Sequence, residues 1–245
     1  MEEEYKFIVV ERKGKSGIIK LNRPEKKNAM HEDMKIEIID ALELMEQEKR
    51  VKAVIIYGEG ENFSAGFDRD EVQAVVQGKG DYKRFVEINH RLHETFFNYP
   101  KLLIAAINGY ALAGAFDLAI ICHLRIASKE ALFGHPEIRF GACPLFFPYM
   151  MIVGRGKALE IALNTGTKET FISAKEAYRL NLINKLVEKE AVLDTAIDIA
   201  NKINQSPEFA VKQLIHVSNN FFNQIEKFDN EIDVIVKSMS SLLGL

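Results

Sequence analysis

The chain opens with two strand-like runs, YKFIVVERK and SGIIKLNRP, around the turn GKSG, which predicts a β-hairpin. Helical period follows in MHEDMKIEIIDALELMEQEKR, where Met34, Ile38, Leu42 and Met45 form one apolar stripe. Glu32 and Asp33 fall in its first turn, where the helix dipole favours negative charge. VKAVIIYG reads as a buried strand leading into the turn-rich loop GEGENFSAGFD. A helix over 82–98, with Phe85, Ile88, Leu92 and Phe96 on one side, ends before Pro100. LLIAAI is the next strand, the following Gly/Ala run opens another helix, and LRIAS and ALFG are short strands. From about residue 145 the pattern turns mostly helical. SAKE at 173–176 has the form of a capping box, INKLVE is a further strand, and Ser206-Pro207 suits a helix start. The layout is a βα-rich core to about residue 185, then a helical C-terminal layer.

One residue breaks the longest apolar run, AINGYALAGAFDLAIICH over 106–123, and that residue is Asp117. A carboxylate buried without partners is expensive. Asp117 is therefore either tied into a local network or turned towards a cavity that uses its charge. Three short segments are candidates for chemistry: FSAGFD at 63–68, YALAGAFD at 110–117 and FGHPEI at 133–138. In the first two, small residues follow a strand and precede a helix, so backbone can approach a ligand and helix-start N–H groups are free to donate. Two such starts facing one cavity would form a donor pair for a developing oxyanion. Each alone reads equally well as a tight strand–helix turn. Glu137 in HPEI is either an inward-facing acid or a solvated loop acid, and His135 reads as a loop or subunit-contact residue. His123 reads as structural.

Composition narrows the classes. The chain has 245 residues, 47% hydrophobic and 27% charged, with a net charge of −3. That balance gives no basic stripe for nucleic acid and no attraction to an anionic membrane. Cys122 and Cys143 lack metal-ligand spacing and read as reduced thiols. The start MEEEYKFIVV is acidic, unlike a signal or transit peptide, and no apolar run reaches membrane-spanning length. The expectation is a soluble cytoplasmic protein. No Gly-Lys-Ser/Thr phosphate loop, Gly-x-Gly-x-x-Gly helix start, Gly-x-Ser-x-Gly elbow or metal-spaced histidine set is present.

Taken in order, LNRPEKKNAM, FSAGFD, AAINGYALAGAFDLAIICHLRIAS, FGHPEIRFG, GRGKALEIALNTG and ISAKEAYRLNLINKLV resemble the crotonase, or enoyl-CoA hydratase/isomerase, superfamily over roughly residues 5–220. The resemblance implies an α/β fold, a spiral of ββα units over 1–185 that carries an acyl-CoA site. Residues 186–245 would be a helical region of the same unit, building a homotrimer or a dimer of trimers. It implies an acyl-CoA thioester whose carbonyl binds the backbone N–H groups of Phe67 and Gly114. Coenzyme A would lie along Asn28, Ala29, Met30, the Ala65 carbonyl and Asp68. Two family acid positions fall on Asp117 and Glu137. No metal or redox cofactor is implied, since coenzyme A arrives with the substrate, and neither a membrane nor a nucleic-acid partner is expected.

The chain departs from the family pattern in ways that bear on the reaction. Asp117 stands where hydratases have glutamate, so its carboxylate reaches ~1.5 Å less far. Dienoyl-CoA isomerases share an aspartate there but carry a third acid where this chain has Leu145. ACPLFFPYMM replaces a Gly-rich stretch and reads as apolar lining. Phe67, Phe116, Leu145, Phe146 and Phe147 cluster at the expected acyl end, which favours an apolar acyl chain, although core or trimer packing accounts for such aromatics too. The closing SSLLGL stops short of a helix that often covers coenzyme A, so a shifted binding mode or help from a neighbouring subunit is expected. The reading is an enzyme stabilising a thioester enolate, an enoyl-CoA hydratase or isomerase. A dienoyl-CoA isomerase, an acyl-CoA hydrolase or decarboxylase, and a non-catalytic CoA- or RNA-binding relative are its alternatives.

Overall fold

The computed structural model describes residues 5–223, with side chains to 220; the MEEE start and the remainder of the C-terminal region, SSLLGL included, lie outside the described residues. The hairpin forms as predicted from β1 (Ile8–Lys13) and β2 (Ser16–Leu21). Helix α1 (Glu32–Gln47) buries Met34, Ile38, Leu42 and Met45, the stripe read from the sequence. Next come β3 (Ala53–Gly58), α2 (Arg69–Val76), the helix expected directly after FSAGFD, and α3 (Tyr82–Phe97). Asp81 caps α3 by accepting from the Arg84 N–H, and Phe85, Ile88, Leu92 and Phe96 fill its buried side.

β4 (Leu102–Ile107), β5 (Tyr110–Leu112) and α4 (Gly114–Ile121) make one ββα turn of the spiral. β6 (Leu124–Ser128) and β7 (Leu132–Gly134) begin the next, followed by α5 (Phe147–Val153) and α6 (Arg155–Asn164). β8 (Ile172–Ser173), α7 (Ala174–Arg179), β9 (Lys185–Val187), α8 (Val192–Ile203) and α9 (Glu208–Asn223) complete the described chain. Ser173 caps α7 through the Glu176 N–H, but the Glu176 carboxylate turns to Arg179 instead of back to Ser173. The predicted capping box is thus half formed.

Among the described residues, six strands order as β1-β2-β3-β4-β6-β9, parallel apart from β1, and β5, β7 and β8 form a smaller second sheet. Single parallel bridges, Met30 to Phe67 and Ser64 to Ala111, extend that second layer. Both faces of the large sheet are covered, which is why AVIIYG and LLIAAI are apolar almost throughout. Ile18, Ile55, Ile104 and Ile126 pack against Val192, Ala196, Ile197 and Ala200 of α8 and Ile215 of α9. Ile19, Ile56, Leu103, Ala105 and Ile107 face α1, α3 and α4. Each such side chain, fully buried, contributes about 1.5–3 kcal/mol. His123 is structural, as read: its Nδ1 accepts the Leu103 N–H at 2.9 Å and its Nε2 meets Asn219 Oδ1 at 3.2 Å, tying β4 to α9.

Candidate active site

The second layer brings the three candidate segments together. Ser64 anchors the first: its N–H donates to Tyr110 O, its carbonyl accepts from Leu112 N–H, and its hydroxyl donates to Asn28 O at 2.7 Å. Met30 bridges Phe67 through the neighbouring groups, donating to Gly66 O and accepting from Asp68 N–H. In a bridge of that register the Phe67 N–H points away from Met30, and among the described residues it has no acceptor. The Gly114 N–H, at the first turn of α4, likewise has none. The two loops touch: a methyl group on Gly66 would lie 2.7 Å from Leu112 O and 3.4 Å from the Gly114 nitrogen. Ala113, which leads into α4, holds φ 51° and ψ −135°, a conformation that costs a non-glycine residue about 1–3 kcal/mol.

Gly66 itself has φ +97°. Gly66→Ala is expected to destabilise by about 1–3 kcal/mol, from positive φ and the blocked approach to Leu112 O together. A thermal melt within error of wild type would show that the close contact between the two loops is not required.

The acids sit behind these loops in one buried cluster. Asp117, one turn into α4, is 5% exposed. Its Oδ1 accepts from the Tyr149 hydroxyl at 3.1 Å and its Oδ2 from the Leu145 N–H at 3.4 Å. His135, at the end of β7, is 0% exposed, with Nδ1 at 3.0 Å from Glu137 Oε1 and 3.9 Å from Asp117 Oδ1. Glu137 lies on the 3₁₀ turn Pro136–Phe140, and its Oε2 is buried with no hydrogen-bond partner among the described residues. Burial, reinforced by the Glu137 charge, pushes the Asp117 carboxyl up to about 8 against the opposing pull of His135 and its hydrogen bonds. Burial alone would lower His135, but the two carboxylates outweigh it and raise it. Burial also holds the Tyr149 hydroxyl far above its ordinary value, so it remains a neutral donor.

These distances revise three sequence expectations. His135 is not a loop or contact histidine but lies between the two acids. ACPLFFPYMM is not simply apolar lining, because it supplies the Leu145 N–H and Tyr149 hydroxyl that hold Asp117. Phe116 is a core residue behind the acids, 1% exposed, stacked on His135 at 5.1 Å and packed against Phe133 and Tyr149. Leu145 is fully buried and Phe146 half-buried. Tyr149 went unread because one hydroxyl in FFPYMM gives no periodic signal. The HPE spacing was visible, but only folding shows which way the ring turns.

The segment expected to meet coenzyme A is rigid. Asn28 is fully buried with φ 54°; its Oδ1 accepts the Arg23 N–H and its Nδ2 donates to Glu59 O and Asn62 O. Met30 is 1% exposed, in the core. Asp68 caps α2 and pairs with Arg23, which also donates to Ala29 O. Partial burial opposes its charge, yet Arg23 and the cap donors hold Asp68 below the usual carboxylate range. The side chains of Asn28, Met30 and Asp68 are thus committed to shaping the loop. The Ala65 carbonyl has no donor among the described residues.

Stacked ββα turns, with free helix-start N–H groups beside a buried acid pair, define a crotonase-like scaffold. An enoyl-CoA hydratase/isomerase from Xanthobacter autotrophicus Py2 superposes on it with TM-score 0.83 at 30% identity, covering 98% of this chain and 87% of that one. The short-chain-enoyl-CoA hydratase of Clostridium acetobutylicum is 34% identical over 213 residues, 85% of this chain and 79% of that protein. The crotonyl-CoA hydratase of Syntrophomonas wolfei is 32% identical over 212 residues, again 85% and 79%. The profile of the enoyl-CoA hydratase/isomerase family matches residues 11–240. The chain belongs to the enoyl-CoA hydratase/isomerase family.

Proposed function

We propose that the protein hydrates short-chain 2-enoyl-CoA thioesters by stabilising a thioester enolate, with Glu137 as acid and base. The observation that carries this reading is the free, buried Oε2 of Glu137 beside a second carboxylate. As water oxygen bonds to C3, Oε2 takes the water proton and the C2=C3 electrons move into the thioester. The carbonyl oxygen gains negative charge, which the Phe67 and Gly114 N–H groups stabilise; one such donor is worth ~10²–10³ in rate. Glu137 then returns the proton to C2, so one water is added and the carboxylate is restored. Asp117, through Oδ1 or Oδ2, orients the water. The coenzyme A adenine lies against the Ala65 carbonyl and the Ala29 backbone, and no metal or redox group enters the scheme.

One observation favours isomerisation as a second reading. Both Asp117 oxygens already accept hydrogen bonds, which leaves Glu137 as the base with a free oxygen. Leu145 fills the third-acid position of the dienoyl enzymes. Turnover of crotonyl-CoA, a 3-enoyl-CoA and a 3,5-dienoyl-CoA separates the readings: crotonyl-CoA is expected to react fastest, and no turnover of any would overturn the enzymatic reading.

Phe67 sets the chain length in this scheme. A Cβ on Gly114 would lie 2.7 Å from its Cζ, so the ring occupies the space beside the donor pair. The buried Lys35 ammonium backs it at 5.1 Å from the centroid, and His93 meets it edge-on at 6.0 Å. Phe67→Ala keeps the backbone donor and is expected to raise kcat/KM for octenoyl-CoA relative to crotonyl-CoA by about 10-fold or more, since each accommodated methylene is worth ~0.8 kcal/mol. An unchanged ratio in steady-state assays would remove Phe67 from the pocket.

Assembly as a homotrimer or dimer of trimers belongs to the same proposal. The exposed Phe209, Leu214 and Val217 of α9 support a second copy covering the helical C-terminal region from residue 186. Cytoplasmic location is also proposed; no helix among the described residues is long and apolar enough to cross a membrane.

A further inference from the structure

His135 lies deeper than either acid needs. Its backbone N–H is fixed by the Thr165 carbonyl and hydroxyl at 3.1 and 3.0 Å. Its ring stacks on Phe116 at 24° and meets Tyr149 edge-on at 5.0 Å, so neither face is free to turn. One ring nitrogen, Nδ1, lies within 4 Å of both carboxylates. The titratable groups facing it are Asp117 from α4, Glu137 from the 3₁₀ turn and Tyr149 from α5. We propose that His135 is a positioning residue: a protonated imidazole that holds Glu137 Oε1 from inside the fold, leaves Oε2 as the reacting oxygen, and supplies the positive charge that lets two buried carboxylates stand together.

The hydrogen bonds of Asp117, not those of the ring, bear on where the proton sits, since His135 Nε2 is buried with no partner among the described residues. Asp117 accepts at both oxygens, from Tyr149 and from the Leu145 backbone, the pattern of a carboxylate. A protonated Asp117 could donate to the Tyr149 oxygen, but the Tyr149 hydroxyl proton would then lose its acceptor among the described residues. When the cluster holds one proton, it is therefore on His135, where Nδ1–H donates to Glu137 Oε1. The ring's stacking on Phe116 suits a cation. The raised affinity of His135 for its proton has the same sign.

The role predicts a signature that packing alone does not. In ¹⁵N-histidine NMR of the full chain, His135 is expected to titrate above the ordinary histidine range, and Glu137→Gln to lower its midpoint by about one pH unit or more. A midpoint below the ordinary range in wild type, or one unmoved by Glu137→Gln, would overturn the proposal. His135→Gln keeps a neutral donor, so kcat is expected to fall about 10-fold or more while the alkaline limb of the pH profile, set by loss of the imidazole proton, disappears. An alkaline limb unchanged in that variant would also overturn it. The kinetic arm rests on the acyl-CoA reading and the NMR arm does not. A protein inert towards every acyl-CoA tested, but with the NMR linkage intact, would support the positioning role and count against the enzymatic reading alone. Should His135→Gln fail to fold, the wild-type and Glu137→Gln titrations still decide.

Discussion

Glu137→Gln is expected to lower crotonyl-CoA turnover by about 10²–10⁴-fold, the usual worth of a positioned acid–base group, while acyl-CoA binding stays near wild type. The amide matches the carboxylate in size, and its Oε1 can still accept from His135 Nδ1, so the fold has little to lose. What disappears is the lone pair of Oε2, unpartnered among the described residues, which the proposed scheme uses to take and return the proton. In the proposed scheme binding rests on other groups, the Phe67 and Gly114 N–H donors and the loop held by Asn28. Steady-state kinetics and equilibrium binding of a non-reacting acyl-CoA separate the two effects. A variant that keeps more than about a tenth of the wild-type rate has lost less than ~1.4 kcal/mol of transition-state stabilisation. Glu137 would then not be the proton-transfer residue.

Much of this site could be read before folding, and what could not has a physical reason. The α1 and α3 stripes and the β3 and β4 runs were legible because burial repeats at the period of the element. Asp117 was conspicuous because an acid in an apolar helix is costly, and Glu137 because family spacing marks it. Tyr149 and His135 were not conspicuous. A tyrosine in an apolar stretch serves as ordinary core, and only the packing of α5 against α4 brings its hydroxyl to Asp117. Histidine in a loop has no preferred direction until β7 and the end of α6 fix its backbone. Helix α2 was legible only as a start after FSAGFD, because DRDEV is polar and gives no apolar stripe; the Asp68 cap and its pairing with Arg23 define it. Asp68, Asn28 and Met30, which the family resemblance sets along coenzyme A, spend their side chains on an ion pair, on backbone hydrogen bonds and on the core respectively.

Asp117→Asn is expected to flatten the pH dependence of stability while removing hydration. Burial first, then the Glu137 charge, pushes the Asp117 carboxyl from 3.8 to about 8, and His135 is raised from 6.5. Both groups bind protons more tightly in the folded chain than in the unfolded one. Their contribution to stability is therefore complete below about pH 4 and declines as pH rises, with a slope of up to about 1.4 kcal/mol per pH unit for each proton. The Asp117 part is gone once pH has passed through about 8, and the His135 part is lost as pH rises through its own raised value. This is opposite to the ordinary salt-bridged aspartate, which loses stability on acidification. The asparagine can turn its oxygen to the Leu145 N–H and its amide to the Tyr149 oxygen, so the side chain keeps both contacts while the Tyr149 hydroxyl proton gives up its acceptor. It removes one buried charge, and the variant should melt above wild type at pH 9 and with a flatter pH dependence between 5 and 8. Hydration should nevertheless fall about 10²-fold or more, because an amide cannot orient water as the carboxylate does. Asp117→Glu is expected not to restore hydratase geometry, contrary to what the shorter reach alone suggests. Tyr149 and Leu145 already close around both oxygens, and the extra methylene should cost about 1–3 kcal/mol in overpacking. Thermal melts at pH 5, 7 and 9, with crotonyl-CoA turnover measured on the same preparations, decide the matter. A wild-type melting temperature that climbs steadily from pH 5 to 8 would mean that the cluster does not hold the extra proton. An Asp117→Asn variant that melts early yet hydrates normally when folded would make the buried acid part of the scaffold.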